Sequence, residues 1–246
     1  MSDEKKSDLN VPACELPMEE HPSDFRHSFH WRIFRIMAEF VDGFQFLADF
    51  RKTISFFGSA RTPEGSRWYE EARKLGRLLA EAGYTVVTGG GPGIMQAGNQ
   101  GAVEGNGTSL GLNIKLPHEQ RINPYVRKGV GFHYFFVRKV MLSYAAQTYV
   151  YFPGGYGTLD EMFELLVLVQ THKIPVRIPV ILVGKEFWEP VTKWIEEVMY
   201  KKFQAIDQQD MNLYYLVDTA EEALEIIKKS PERSEFAETT VQNKNT

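Results

Sequence analysis

Short apolar runs rich in β-branched and aromatic residues alternate along this chain with segments whose apolar residues recur at three- and four-residue steps. The short runs cover 53–57, 84–88, 109–114, 148–152, 179–183 and 213–217. They are too short for helices and carry the side chains that fit a pleated, buried surface. Between them the spacing predicts helices over 68–82, from about 93 to 105, over 134–146 and 158–171, through Trp194 to Met199, and over 219–229. Gly83 marks a C-terminal stop and Thr219 an N-terminal cap. Residues 117–128 read as an irregular loop. Strict alternation of this kind predicts an α/β fold: a Rossmann-like parallel sheet with helices on both faces, three layers in αβα order, wound by right-handed crossovers.

The helical pattern begins earlier. Over 23–50, Phe29, Ile33, Ile36, Met37, Phe40, Phe44 and Leu47 recur at helical steps, and Trp31, Phe34 and Phe46 widen the apolar surface. A helix this aromatic is expected to be covered by its own domain or by a partner subunit. Residues 1–22 and 230–246 are polar and are expected to be flexible tails flanking a nucleotide-binding domain over 51–229. With 246 residues, 43% of them apolar and 24% charged, the chain has the balance of an ordinary globular protein. A net charge of −4 argues against a general nucleic-acid binder. Cys14 is the single cysteine, so no internal disulfide is possible. No run approaches the roughly 18 apolar residues of a membrane span, and the mixed-charge start lacks the apolar core of a signal peptide. A cytoplasmic protein with no membrane association is the expectation.

Two glycine-rich loops follow strands and precede helices. The first is Thr88-Gly89-Gly90-Gly91-Pro92-Gly93-Ile94-Met95 and the second Pro153-Gly154-Gly155-Tyr156-Gly157-Thr158. Glycines let the backbone turn tightly and approach a ligand. The helix that follows offers unpaired N–H groups and the positive end of its dipole, a seat for phosphate. A plain tight turn is the alternative for the first loop. The spacing GGGPG is not the dinucleotide fingerprint GxGxxG, and no GxxxxGK[ST] occurs. Because ligands in parallel sheets bind at the carboxyl ends of the strands, both loops are expected on one edge.

Asp160 and Glu161 follow the second loop. In a first helical turn, acidic residues often only complement the dipole. A carboxylate beside a phosphate seat can also stabilise positive charge on a sugar or orient water. Arg138 and Lys139 stand on the 134–146 helix. Adjacent cations are often a solvated face, but their neighbours Phe135, Phe136, Val137, Val140, Met141 and Leu142 are apolar, and a partly buried Arg needs an anion such as Glu161 or a phosphate.

Taken together, Gly89 to Met95, the Arg138–Lys139 pair and Pro153 to Glu161 resemble the LOG ("lonely guy") family over roughly residues 53–200. These are cytokinin riboside 5′-monophosphate phosphoribohydrolases, some of which carry the label "lysine decarboxylase". The resemblance implies cleavage of the N-glycosidic bond of AMP or an N6-modified AMP, releasing free base and ribose 5-phosphate, with no cofactor and no metal. It implies Arg138 and Glu161 as catalytic residues. Substrate contacts are implied at Gly90, Gly91, Gly93, Met95, Glu119, Lys139, Gly154, Gly155, Gly157 and Thr158. A homodimer or higher homo-oligomer is implied as well. The aromatic N-terminal helix and the segment 112–125 resemble a longer bacterial subgroup rather than the short plant-type enzymes.

Two rival readings remain. One is a non-catalytic nucleotide or molybdenum-cofactor carrier on the same fold, since fold alone does not decide function; a pure binder has no need of both Arg138 and Glu161. The other is amino-acid decarboxylation, for which no pyridoxal-phosphate cup is legible. Six scattered histidines, with only His27 and His30 at helical spacing, do not compose a metal site, and no GxSxG elbow occurs.

Overall fold

A computed structural model describes residues 29–115, 122–174 and 178–230. The expected tails lie outside the described residues, except for Ser230. The chain divides into two units, Met1–Arg35 and Ile36–Thr246. The described part of the first is the opening of helix α1 (Phe29–Ala48). The second unit holds the rest of α1 and every other element.

Seven parallel strands make one sheet: β1 (Thr53–Phe57), β2 (Thr85–Thr88), β3 (Ser109–Ile114), β4 (Lys128–Phe132), β5 (Thr148–Tyr151), β6 (Val180–Val183) and β7 (Tyr215–Val217), in the order β4-β3-β2-β1-β5-β6-β7. The helices are α2 (Arg67–Glu81), α3 (Ile94–Glu104), α4 (Phe135–Tyr144), α5 (Tyr156–Gln170), α6 (Lys185–Trp194) and α7 (Ala220–Lys229). The three-layer α/β architecture is the one the alternation predicts. Strands β1, β2, β5 and β6 are buried along their whole length, as expected of strands covered by helices on both faces.

Successive strand residues point to opposite faces, and each face has its own core. Val87, Tyr149, Tyr151 and Leu182 pack with Leu47, Met141, Leu165 and Trp188. Val86, Val150 and Ile181 pack with Leu75, Leu79, Ile94 and Leu224 on the other side. Gly83 stops α2 with φ +82, and Thr219 and Glu222 form a capping box on α7. Among the described residues, no helix is long and apolar enough to cross a membrane.

Three local differences from the sequence reading have physical causes. The stretch expected to be loop up to 128 is followed by a seventh strand, β4. Its sequence, Lys128-Gly129-Val130-Gly131-Phe132, has two glycines and weak strand propensity; full parallel pairing with β3 makes it a strand. Beyond α6 the helix continues as a π-helix over Ile195–Lys202. The last strand is shorter than the run 213–217, because a 3₁₀ turn over Gln208–Asn212 precedes it.

Candidate active site

The strand order reverses direction at β1, whose neighbours are β2 and β5. Loops leaving the carboxyl ends of such a pair diverge to opposite sides and open a crevice. Here the loop after β1 (residues 58–66) and the loop after β5 (residues 153–155) flank it, and the first glycine loop joins from β2. Backbone hydrogen bonds lock the three together: the Ser59 N–H donates to the Pro153 carbonyl (3.0 Å) and the Ile94 N–H to the Ser59 carbonyl (3.1 Å). This contact requires glycine at 93, whose φ is +67 and where a Cβ would run into the Ser59 carbonyl and Ala60.

A buried polar network pins the first loop from below. The Gly90 N–H donates to Thr88 Oγ1 (2.8 Å), and that hydroxyl donates to Asn99 Oδ1 (2.7 Å). Asn99 Nδ2 donates to Ser109 Oγ (2.8 Å) and to the Leu110 carbonyl (3.1 Å). Asn123 Nδ2 donates to the Gly91 carbonyl (2.9 Å) and Asn99 Oδ1 (3.0 Å), and the Asn123 N–H to the Gly90 carbonyl (2.9 Å). Thr88 and Asn99 are fully buried, so each polar group there needs its partner.

The second loop behaves differently. Gly155 is the N-cap of α5 and supplies no side-chain cap, which leaves the first-turn N–H groups for a ligand. A Cβ at Gly155 or Gly157 would meet nothing within 4 Å. Thr158 is buried at the start of the helix.

Arg138 reaches the crevice from α4. Its Nε donates to the Leu112 carbonyl at 2.8 Å, which aims the rest of the guanidinium past the first glycine loop toward the cavity. Burial pulls its pKa down, and the nearby Glu161 charge opposes that. Glu161 enters from α5. Burial pushes its carboxyl up to about 7, against the downward pull of Lys139 and Arg138 and with a further push from Glu164 and Asp160. The Tyr151 hydroxyl donates to the Glu161 carbonyl (3.1 Å), and the Tyr151 ring stacks on Phe57 at 4.8 Å. These contacts hold the backbone under the carboxylate. Arg138 and Glu161 feel each other's charge, yet no ion pair within 4.0 Å joins them among the described contacts. Both groups are left to act on what lies between.

What lies between is a cavity of about 1230 Å³, lined by Arg138, Glu161, Met95, Gly154, Gly155, Gly157 and Thr158 among others. That exceeds the roughly 300–1,000 Å³ typical of small-molecule sites, so there is room for a small-molecule ligand. Gly90, Gly91 and Gly93 shape the loop without lining the cavity. Lys139 is not among the lining residues and pairs with Asp160 (2.8 Å) and Glu164 (3.1 Å). Glu119 lies outside the described residues. The sequence reading missed the wall formed by Gly58 to Pro63, Trp68, Leu142 and Phe187. The 58–63 segment had a signal, since it too follows a buried strand. Trp68 and Phe187 had none, because only folding brings them to the cavity. Among the described residues, no three His, Cys, Asp or Glu side chains are placed to hold a metal.

A family model described as "Possible lysine decarboxylase" matches residues 95–227, more than half of the chain. The chain belongs to the LOG family. Its curated relatives include the rice (Oryza sativa subsp. japonica) "Cytokinin riboside 5′-monophosphate phosphoribohydrolase LOG", 32% identical over 165 residues, which are 64% of this LOG-family chain and 65% of the rice protein. The match thus spans just under two thirds of that relative's length. A protein of Rhodococcoides fascians with the same activity in its name is 26% identical over 160 residues, 62% of this chain and 78% of that protein. Among solved structures, the molybdenum cofactor carrier protein of Chlamydomonas reinhardtii shares the fold, with a TM-score of 0.54 and 22% identity over 73% of this LOG-family chain and 98% of that one. The molybdenum cofactor binding protein of Rippkaea orientalis gives 0.52 and 21% over 72% and 93%. At these identities the likeness is one of fold.

Proposed function

We propose that this protein is a phosphoribohydrolase that cleaves the N-glycosidic bond of a nucleotide 5′-monophosphate, AMP or an N6-modified AMP, in the cytoplasm. The observation that carries the reading is the pairing, in one crevice, of a half-free guanidinium and a carboxyl poised near neutrality beside an uncapped helix N-terminus. The 5′-phosphate sits at the start of α5, where Gly155 and Gly157 leave room and the helix dipole favours an anion. Glu161 lies five residues into that helix, roughly 7–8 Å along its axis, a span suited to ribose 5-phosphate.

The C1′–N bond breaks with its electron pair leaving on the base. Ionised Glu161 stabilises the positive charge developing on the sugar and takes a proton from the incoming water, whose oxygen bonds to C1′. Arg138 stabilises the negative charge on the departing base, which ends by accepting a proton. One water is consumed, and free base and ribose 5-phosphate result. The activity named for the rice and Rhodococcoides relatives supports the reading.

The test is to incubate the protein with AMP and with N6-isopentenyl-AMP and follow free base by chromatography. Release is expected from at least one. Glu161→Gln should lower turnover by roughly 10²–10⁴ with nucleotide binding retained. Calorimetric binding with no product from a folded sample would return the site to the carrier reading.

A further inference from the structure

Helix α4 delivers Arg138 to the crevice, yet it supplies no cap of its own. Its N-cap is Tyr134, no side chain there caps the helix, and its first turn has no acidic residue. The missing carboxylate comes from another helix. Glu39 of α1 accepts the His133 N–H on Oε1 (2.9 Å) and the Tyr134 N–H on Oε2 (3.1 Å). In a capping box the third residue of the same helix satisfies the N-cap N–H; here a residue 95 positions earlier in the chain does it. Arg138 sits one turn above this clamp, its N–H bonded to the Tyr134 carbonyl (3.1 Å). The rest of α1 follows α4 closely. Gly43 lies so near Met141 and Phe132 that a Cβ there would crowd both side chains (2.8 Å to Met141 Cγ, 3.1 Å to Phe132 Cε1), and the Phe44 ring meets Tyr144 edge-on at 4.8 Å. Leu47 is buried in the same core as Val137, Met141 and Leu142, and Leu142 lines the cavity.

We propose that Glu39 is a positioning residue of the site: by clamping the start of α4 it holds Arg138 on the Leu112 carbonyl and at its station opposite Glu161. The N-terminal helix is then part of the active-site scaffold and not only a cover for apolar surface. The proposal rests on the phosphoribohydrolase reading for its kinetic consequence, but its structural half can be measured without turnover.

Arg138 Nε–H is the reporter. Its side-chain signal is assigned in the ¹⁵N spectrum by its loss in Arg138→Lys, and its hydrogen exchange is followed in four proteins. In Glu39→Ala, exchange is expected to quicken roughly tenfold or more as the clamp opens. Glu39→Gln keeps one carbonyl oxygen to accept an N–H and should fall between that variant and the unaltered protein. Leu47→Val loosens the same helix without touching the clamp and should leave the rate near that of the unaltered protein. In the hydrolysis assay, Glu39→Ala should lose kcat roughly tenfold with KM changed less than about twofold. Unchanged exchange in folded Glu39→Ala overturns the proposal, as does equal acceleration in Leu47→Val. If Glu39→Ala does not fold, Glu39→Gln against Leu47→Val decides. An absence of turnover in the unaltered protein, with the exchange pattern as expected, sinks the hydrolase reading alone.

Discussion

Glu161 shows how one side chain carries both function and cost. In water a Glu ionises near pH 4.3, but burial in the crevice lifts this one to about 7. Well below the unfolded value it is protonated whether the chain is folded or not, and it contributes no difference. As the pH rises from there to about 7 the unfolded chain ionises first, so the fold loses stability, and above 7 the full penalty applies. Glu161→Gln should therefore be more stable than the unaltered protein at pH 8, on the order of 2 kcal/mol and several degrees in Tm, and no more stable at pH 4. Thermal unfolding at the two pH values checks this; a Tm difference independent of pH would mean that the carboxyl is not held near neutrality. The same titration governs the reaction if ionised Glu161 is the working form. kcat/KM should climb about tenfold per pH unit below 7 and flatten above it. Position 161 was legible in the sequence from the motif around it. Its altered acidity was not, since burial and the charges of Lys139 and Arg138 set it.

At the scale of elements, the two glycine loops look alike in sequence and do different work. The first is held by partners: Gly90 and Gly91 by Asn123, Gly93 by its close approach to the β1 loop. The second is open, with Gly155 and Gly157 facing empty space at an uncapped helix start. This difference predicts opposite outcomes for the same substitution. Gly93→Ala forces a Cβ into backbone at positive φ and should cost more than about 2 kcal/mol of stability along with nucleotide binding. Gly155→Ala should leave Tm within about 1 °C yet weaken AMP binding roughly tenfold or more, because the methyl fills space meant for phosphate. Melting curves and calorimetry on both variants separate the two roles. Equal destabilisation would deny the distinction, and full AMP affinity in Gly155→Ala would put the phosphate elsewhere. Sequence spacing marked both loops as backbone close to something. Which of them is close to protein and which to open space depended on Asn123, Asn99 and Ser59, residues that no local pattern links to either loop.

For the whole molecule, the sheet order places the crevice between β1 and β5, and the helices beside it carry exposed apolar side chains. From Ile36 onward α1 lies along α4, and α4 along α5, where Lys139 bridges to Asp160 and Glu164. Met37, Val41, Phe136, Val140 and Val167 are exposed on these helices. Apolar exposure on this scale is what a partner surface shows, and the expected homo-oligomer would cover it with a second copy. Sedimentation should give a dimer or larger species, and Val140→Glu should shift it toward monomer. A mass that does not respond would exclude this face as the contact. The N-terminal stripe illustrates the limit of periodicity: Ile36, Phe40 and Leu47 turn to the core, while Met37 stands 58% exposed although it fits the same spacing. The order of strands and helices, the parallel sheet, the two glycine loops and the candidates Arg138 and Glu161 could all be read along the chain. Side-chain period and backbone sterics are local properties, and they act on neighbours a few residues apart. Strand β4, the wall built by Trp68 and Phe187, the diversion of Lys139 into ion pairs and the clamp from Glu39 onto α4 came only with the tertiary structure. Each depends on groups far apart in sequence meeting in space, and on burial, which no single segment possesses until the others cover it.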